Sequence, residues 1–225
     1  MIFTKYVFLW LSLLITIIFY SPLFIYFLLQ GFTLTFNLAI LLVIIATFAF
    51  LYFVFMGRAY KYGDLSLAYP IIRSAPIFVL IFAVLFLNEQ VSTIALTGII
   101  LISVGTYVLN IESRKSFLDI KENLLKNKKV ITFGLFAALC LTGDTILSKL
   151  GVTLEIEPFI IAYSMFFMDF LYFSPYILKN RQLIKKELKI NKFGVISVGI
   201  LMAFSWIVVL YTLQLTNVSY ITSLR

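Results

Sequence analysis

Runs of at least about 18 apolar residues alternate along the chain with short polar connections, the spacing expected of helices that cross a bilayer. Seven such runs stand at 6–29, 36–57, 65–88, 92–110, 130–150, 158–178 and 193–213. The last twelve residues, QLTNVSYITSLR, read as the opening of an eighth. The pattern predicts an all-α integral membrane protein of about seven transmembrane helices plus a partial eighth. Connections are short except at 111–129 and 179–192, and the first of these is the better boundary between two halves. Near the N-terminus Lys5 precedes an apolar run with no small-residue cleavage signal, which predicts an uncleaved first span.

Composition agrees with that pattern. Of 225 residues 62% are apolar, where soluble domains hold about 45–50%. The mean hydropathy is +1.07. A net charge of +8 would point to nucleic acid in a soluble protein. Here it reads as the basic loops that orient a membrane protein, so membrane lipids are the expected partners and nucleic acid is not. The chain has no histidine and one cysteine, Cys140, inside an apolar run. An internal disulfide and a His- or Cys-rich metal site are thereby excluded, and no cofactor is expected.

Placing 111–129 in the cytoplasm makes 179–192, 58–64 and the N-terminus cytoplasmic by alternation. Those regions hold fifteen of the 18 basic residues, while the opposite side keeps Lys149 with Glu89, Glu155 and Glu157. The charge placement therefore predicts a multi-pass protein of the plasma (inner) membrane with its basic loops inside.

Within this frame residues 62–90, YGDLSLAYPIIRSAPIFVLIFAVLFLNEQ, stand apart. A nearly uncharged span is interrupted by Pro70, Pro76 and Arg73 and closes at Asn88-Glu89. An arginine facing lipid at that depth costs at least about 2.5 kcal/mol, so it belongs against protein or a watery cavity. Each proline removes a backbone donor and frees a carbonyl, and polar backbone at membrane depth survives only where protein or water satisfies it. A kinked helix lining a pathway is the expected result.

The stretch YGDLSLAYPIIRSAPIF, followed by the apolar run and the Asn88-Glu89 turn, resembles the EamA-type domain of the drug/metabolite transporter superfamily, over residues 58–110. The resemblance implies a secondary transporter of ten spans with both termini in the cytoplasm. That would place 111–129 outside, and on this point the charge count is preferred. It further implies movement of a small metabolite by alternating access.

A shift of 152 or 153 residues superposes the hydrophobic profile on itself. At 153, Phe173-Ser174-Pro175 falls on Tyr20-Ser21-Pro22; at 152, Arg225 falls on Arg73. Five spans separate each pair, so the halves are inverted in the membrane, a five-plus-five repeat of the kind seen in many secondary transporters. The expected division is 1–110, a first EamA-like half lacking its first helix; 111–129, a basic connecting loop; and 130–225, a second half lacking its last helices. The alternative reading is a truncated, non-transporting membrane remnant or accessory subunit. An enzyme is not expected, since there is no histidine, no Cys cluster and no Ser nucleophile motif.

Ser66, Tyr69 and Arg73 recur at i, i+3 and i+7, on one face of the third span. Two hydroxyls and a guanidinium there suit a small polar or anionic substrate; equally, Arg73 serves as a structural partner for a buried carboxylate or freed carbonyls. Asp144 and Asp169 are the intramembrane carboxylates, each a candidate partner of Arg73 or carrier of a coupling proton. For Asp144 the competing reading is a hydrated position near Lys149. Trp10 and Tyr163, related by the 153 shift, are candidates to flank a midplane cavity, though such aromatics, like Trp206, more often pack between helices. Gly98 with Gly105, and Gly194 with Gly199, suggest close helix contacts, and a dimer stays open. Residues 112–129 suit either an amphipathic surface helix or a plain connector.

Overall fold

The computed structural model describes residues 2–31, 34–63, 65–109 and 128–224. They form nine α-helices: α1 (Ile2–Leu29), α2 (Phe36–Tyr62), α3 (Leu65–Ile72), α4 (Ala75–Leu87), α5 (Thr93–Leu109), α6 (Lys128–Thr153), α7 (Pro158–Ile177), α8 (Arg181–Leu215) and α9 (Val218–Leu224). A 3-10 turn, Leu178–Asn180, joins α7 to α8. Among the described residues six stretches are long and apolar enough to cross a membrane: Tyr6–Leu29, Phe36–Tyr62, Leu67–Leu87, Lys128–Thr153, Pro158–Ile177 and Arg181–Leu215. The chain is an all-α membrane protein.

The run at 92–110 forms α5 as far as Leu109, and residues 110–127 beyond it lie outside the described residues. The amphipathic reading of 112–129 falls there too, except that Lys128 and Lys129 open α6. One expectation needs correction. The connection at 179–192 is helical: α8 starts at Arg181 and bends at Asn191, where φ is −122° and ψ 26°. RQLIKKELKI is built of strong helix formers, so charge density marks its location at the membrane edge and not its backbone conformation.

Several helix ends follow from local chemistry. Pro158 and Pro76 sit in the first turns of α7 and α4, where a missing N–H costs nothing. Asn88 ends α4 in the left-handed region, φ 51°, a conformation Asn tolerates better than other side-chain-bearing residues. Its N–H returns to Ala83 O, as does that of Glu89 at 3.2 Å. Spacing follows the repeat as well. Leu215 ends α8 153 residues after Tyr62 ends α2, and Val218 opens α9 153 residues after Leu65 opens α3.

The chain packs as two compact units, Met1–Phe50 with Gly151–Gln214, and Leu51–Leu150 with Leu215–Arg225. Spatial packing and sequence repeat thus divide the chain by different criteria.

In the first unit α1 and α7 lie side by side and antiparallel. The ring pairs Tyr6–Phe173 (5.6 Å), Trp10–Phe170 (4.8 Å) and Tyr20–Phe159 (4.6 Å) rise along one helix as they fall along the other. These are the two helices that the 153 shift superposes. In each, the serine before the internal proline turns its hydroxyl back onto the i−4 carbonyl: Ser21 Oγ to Ile17 O (2.7 Å) and Ser174 Oγ to Phe170 O (2.6 Å). The bonds occupy backbone acceptors beside the site where proline has removed a donor.

α8 runs parallel to α1 and touches it backbone to backbone. A Cβ added at Gly199 would stand 2.7 Å from Ser12 O and 2.7 Å from Ile15 Cβ. Thr16 Oγ1 donates to Gly199 O (2.8 Å), and Tyr20 OH donates to Ala203 O. The small-residue expectation therefore holds at Gly199. It is corrected at Gly98 and Gly105, where an added Cβ meets nothing within 4 Å, while Gly194 makes ordinary contact with Phe8.

In the second unit Ala59, Ala68, Ile72, Val130 and Ala137 form a buried core between the end of α2, α3 and α6. At its other end the loop after α4 holds α9. Glu89 Oε1 accepts from Val218 N–H (2.7 Å) and Oε2 from Ser219 Oγ (3.1 Å), capping the first turn of α9 with a carboxylate. Asn217 Nδ2 donates to Gln90 O, Lys149 Nζ to Thr216 O and Ser92 N–H to Tyr220 OH.

Gly199→Val should force α1 and α8 apart and lower stability by about 1–3 kcal/mol, read as a shift of the thermal unfolding of the detergent-solubilised chain. Gly98→Ala, with open space around it, should leave that midpoint within about 0.5 kcal/mol of its starting value. Equal effects would contradict the close α1–α8 approach.

Candidate functional site

The span Leu67–Leu87 is broken where the sequence predicts a kink. α3 ends at Ile72 and α4 starts at Ala75, leaving Arg73 and Ser74 as a turn between them. Proline 76 cannot donate to the carbonyl one turn back, so the helix stops and restarts. Ser74 covers part of the gap, its Oγ reaching Ile71 O at 2.6 Å and its N–H the same oxygen at 3.2 Å. Arg73 N–H still reaches Tyr69 O at 2.9 Å. Tyr69 and Arg73 therefore keep their helical spacing across the break.

That spacing brings their side chains together. The guanidinium carbon of Arg73 stands 5.2 Å from the centre of the Tyr69 ring, a cation–π arrangement. Tyr69 is 37% exposed and Arg73 half-buried. Ser66 lies in α3.

Two further residues join this group that the sequence reading missed. Tyr60, near the end of α2, lies within electrostatic reach of Tyr52, Arg73 and Tyr69. Tyr52 and Tyr60 both pack against the alanine-rich core under α3. The result is one guanidinium with the phenols of Tyr69 and Tyr60 near it and Tyr52 beside Tyr60 on α2. The available signal was the i, i+8 spacing of Tyr52 and Tyr60 on one face of α2, obscured by the high tyrosine and phenylalanine content of the chain.

The remaining candidates divide between the units. Trp10, Tyr163 and Asp169 belong to the first unit; Ser66, Tyr69, Arg73 and Asp144 belong to the second. Trp10 is buried, stacks on Phe170 at 4.8 Å and donates from Nε1 to Ser174 Oγ at 2.9 Å. Tyr163 stacks on Phe24 at 4.0 Å and on Phe167 at 6.0 Å. Trp206 meets Phe166 edge-on at 6.2 Å. All three aromatics are packed against neighbouring rings.

Asp169 is completely buried in the middle of α7. Its equivalent under the 153 shift is Thr16, also completely buried and also central in its helix. Asp144 is 1% exposed, which favours its intramembrane reading over the hydrated one. Lys149, read as its neighbour in water, donates to Thr216 O. Among the described residues no three His, Cys, Asp or Glu side chains gather into a metal-binding group.

Residues 2–111 match the family described as the EamA-like transporter family. The matched stretch contains α1 to α5 and with them the break at Arg73. No curated protein and no solved structure matches the chain.

Trp10→Phe keeps a ring on Phe170 and removes only the Nε1 donor. Stability should fall by about 0.6–1.7 kcal/mol, the range for hydrogen bonds between membrane helices. Combined with Ser174→Ala, the loss should be smaller than the sum of the two single losses in a denaturant titration. Additive losses would show that the two side chains do not share that bond.

Proposed function

We propose that this chain, whose residues 2–111 carry an EamA-type domain of the drug/metabolite transporter superfamily, is a secondary transporter that moves a small metabolite across the inner membrane by alternating access. The observation that carries the reading is the interruption of the span Leu67–Leu87 at Arg73–Ser74. Broken helices at membrane depth expose backbone polar groups where a substrate can use them, and they recur in transporter binding sites. Here the break presents a guanidinium with two phenols, Tyr69 and Tyr60, near it.

The chemistry of that group suits a small anion or polar molecule. Arg73 supplies a planar fork of N–H donors for a carboxylate or phosphate. Tyr69 lies against the guanidinium and helps to hold it at the break. Tyr60 adds a second phenol within electrostatic reach of it, and Ser66 shares its face of the span by sequence spacing. Alternating access draws support from the antiparallel α1–α7 pair and from the helix ends spaced by 153 residues, which suit two inverted repeats.

Asp169 and Asp144 are the carboxylates in position to carry a coupling proton, Asp169 first because it is central in α7 and fully buried. A carboxylic acid held in a low-dielectric interior changes its charge only when its surroundings change, the property a proton-coupled transporter needs.

Two experiments test these roles. Metabolites whose levels change when cells express the chain should return to the vector-only level with Arg73→Ala and with Arg73→Lys, a loss of about tenfold or more, while both variants insert in the membrane at normal abundance. Unchanged levels would remove Arg73 from the site. Asp169→Asn should abolish uptake driven by a pH gradient in proteoliposomes yet spare exchange of labelled for unlabelled substrate. Retained gradient-driven uptake would exclude Asp169 as the proton carrier.

A further inference from the structure

We propose that the bent N-terminal segment of α8, residues 181–190, is a docking surface for the headgroups of anionic phospholipids in the surrounding bilayer. Three independent features converge on it. The first is charge. Lys179, Arg181, Lys185, Lys186, Lys189 and Lys192 fall within fourteen residues, and all six are exposed.

The second is how the opposing charge is handled. Glu187 is the sole acidic residue between 178 and 215. It is turned inward, 7% exposed, and its Oε1 accepts from Asn191 Nδ2 at 2.6 Å. At 3.6 residues per turn Arg181, Lys185 and Lys189 stack along the face opposite Glu187. The charge that this face presents outward is therefore all positive. The same Asn191 carries the non-helical dihedrals that bend α8. One residue thus both holds the carboxylate inside and turns the basic segment away from the axis of the span that follows.

The third feature is apolar exposure beside the cations. Leu188, Ile190 and Phe193 are 39%, 64% and 85% exposed. Lysines interleaved with exposed bulky apolar side chains fit the boundary between headgroups and acyl chains, where each finds its own medium. A soluble polyanion would engage the lysines and leave Phe193 and Ile190 in water. Charge placement puts this segment on the cytoplasmic side, whose leaflet carries negative surface potential.

The test uses the full-length chain in nanodiscs made with phosphatidylcholine alone or with added phosphatidylglycerol, followed by native mass spectrometry of the lipids retained on ejection. The chain should retain phosphatidylglycerol in preference to phosphatidylcholine. The triple variant K185Q/K186Q/K189Q should reduce that preference by about tenfold or more, whereas K185R/K186R/K189R, which keeps the charge, should preserve it. High salt should weaken the preference of the unmodified chain without any substitution. A preference unaffected by the glutamine variant, or lost equally in the arginine variant, would overturn the proposal. Displacement of the lipid by millimolar glycerol phosphate would also overturn it, by showing a site for free phosphate.

Discussion

In hydrocarbon, a backbone carbonyl that loses its helical donor finds no water to replace it, and this single constraint organises the chain. Most of the molecule obeys it by leaving no carbonyl without a donor, as continuous helix. Where proline intrudes, a neighbouring hydroxyl occupies an exposed acceptor: Ser21 on Ile17, Ser174 on Phe170 and Ser74 on Ile71. The first two repairs leave their helices unbroken. At Arg73–Ser74 the repair is incomplete, and the helix stops and restarts. The polar backbone and the one arginine of that span come to the same place, which is why the candidate site belongs there and not at the smoother prolines.

Span positions were legible because the bilayer acts as a uniform solvent, so hydropathy alone marks where a helix crosses it. The kink at Pro76 was legible for a related reason: proline removes a donor wherever it sits. The bend at Asn191 was not, because nothing in RQLIKKELKINK forbids a straight helix; the bend comes with a tertiary environment that buries Glu187 and with its bond to Asn191. Glycines show the same limit. Gly98 and Gly199 look equivalent in sequence, and only Gly199 has another backbone against it.

Of the site, the pair Tyr69 and Arg73 could be read directly, since both lie on one helix and i, i+4 geometry fixes their meeting. Tyr52 and Tyr60 could not, because their proximity depends on α2 packing against α3, a contact with no local signature. For Asp144 the intramembrane reading and a hydrated one stood side by side in the sequence, and its burial favours the first. Lys149 also donates to Thr216 O, 67 residues further along the chain, a partner with no local signature.

The cap that Glu89 places on Val218 and Ser219 joins groups 129 and 130 residues apart. A chain emerging at about 5–20 residues per second exposes the Asn88–Ser92 loop for roughly ten seconds before its partner exists. Closure of this loop therefore waits until Val218 and Ser219 have been synthesised, long after the loop itself has left the ribosome.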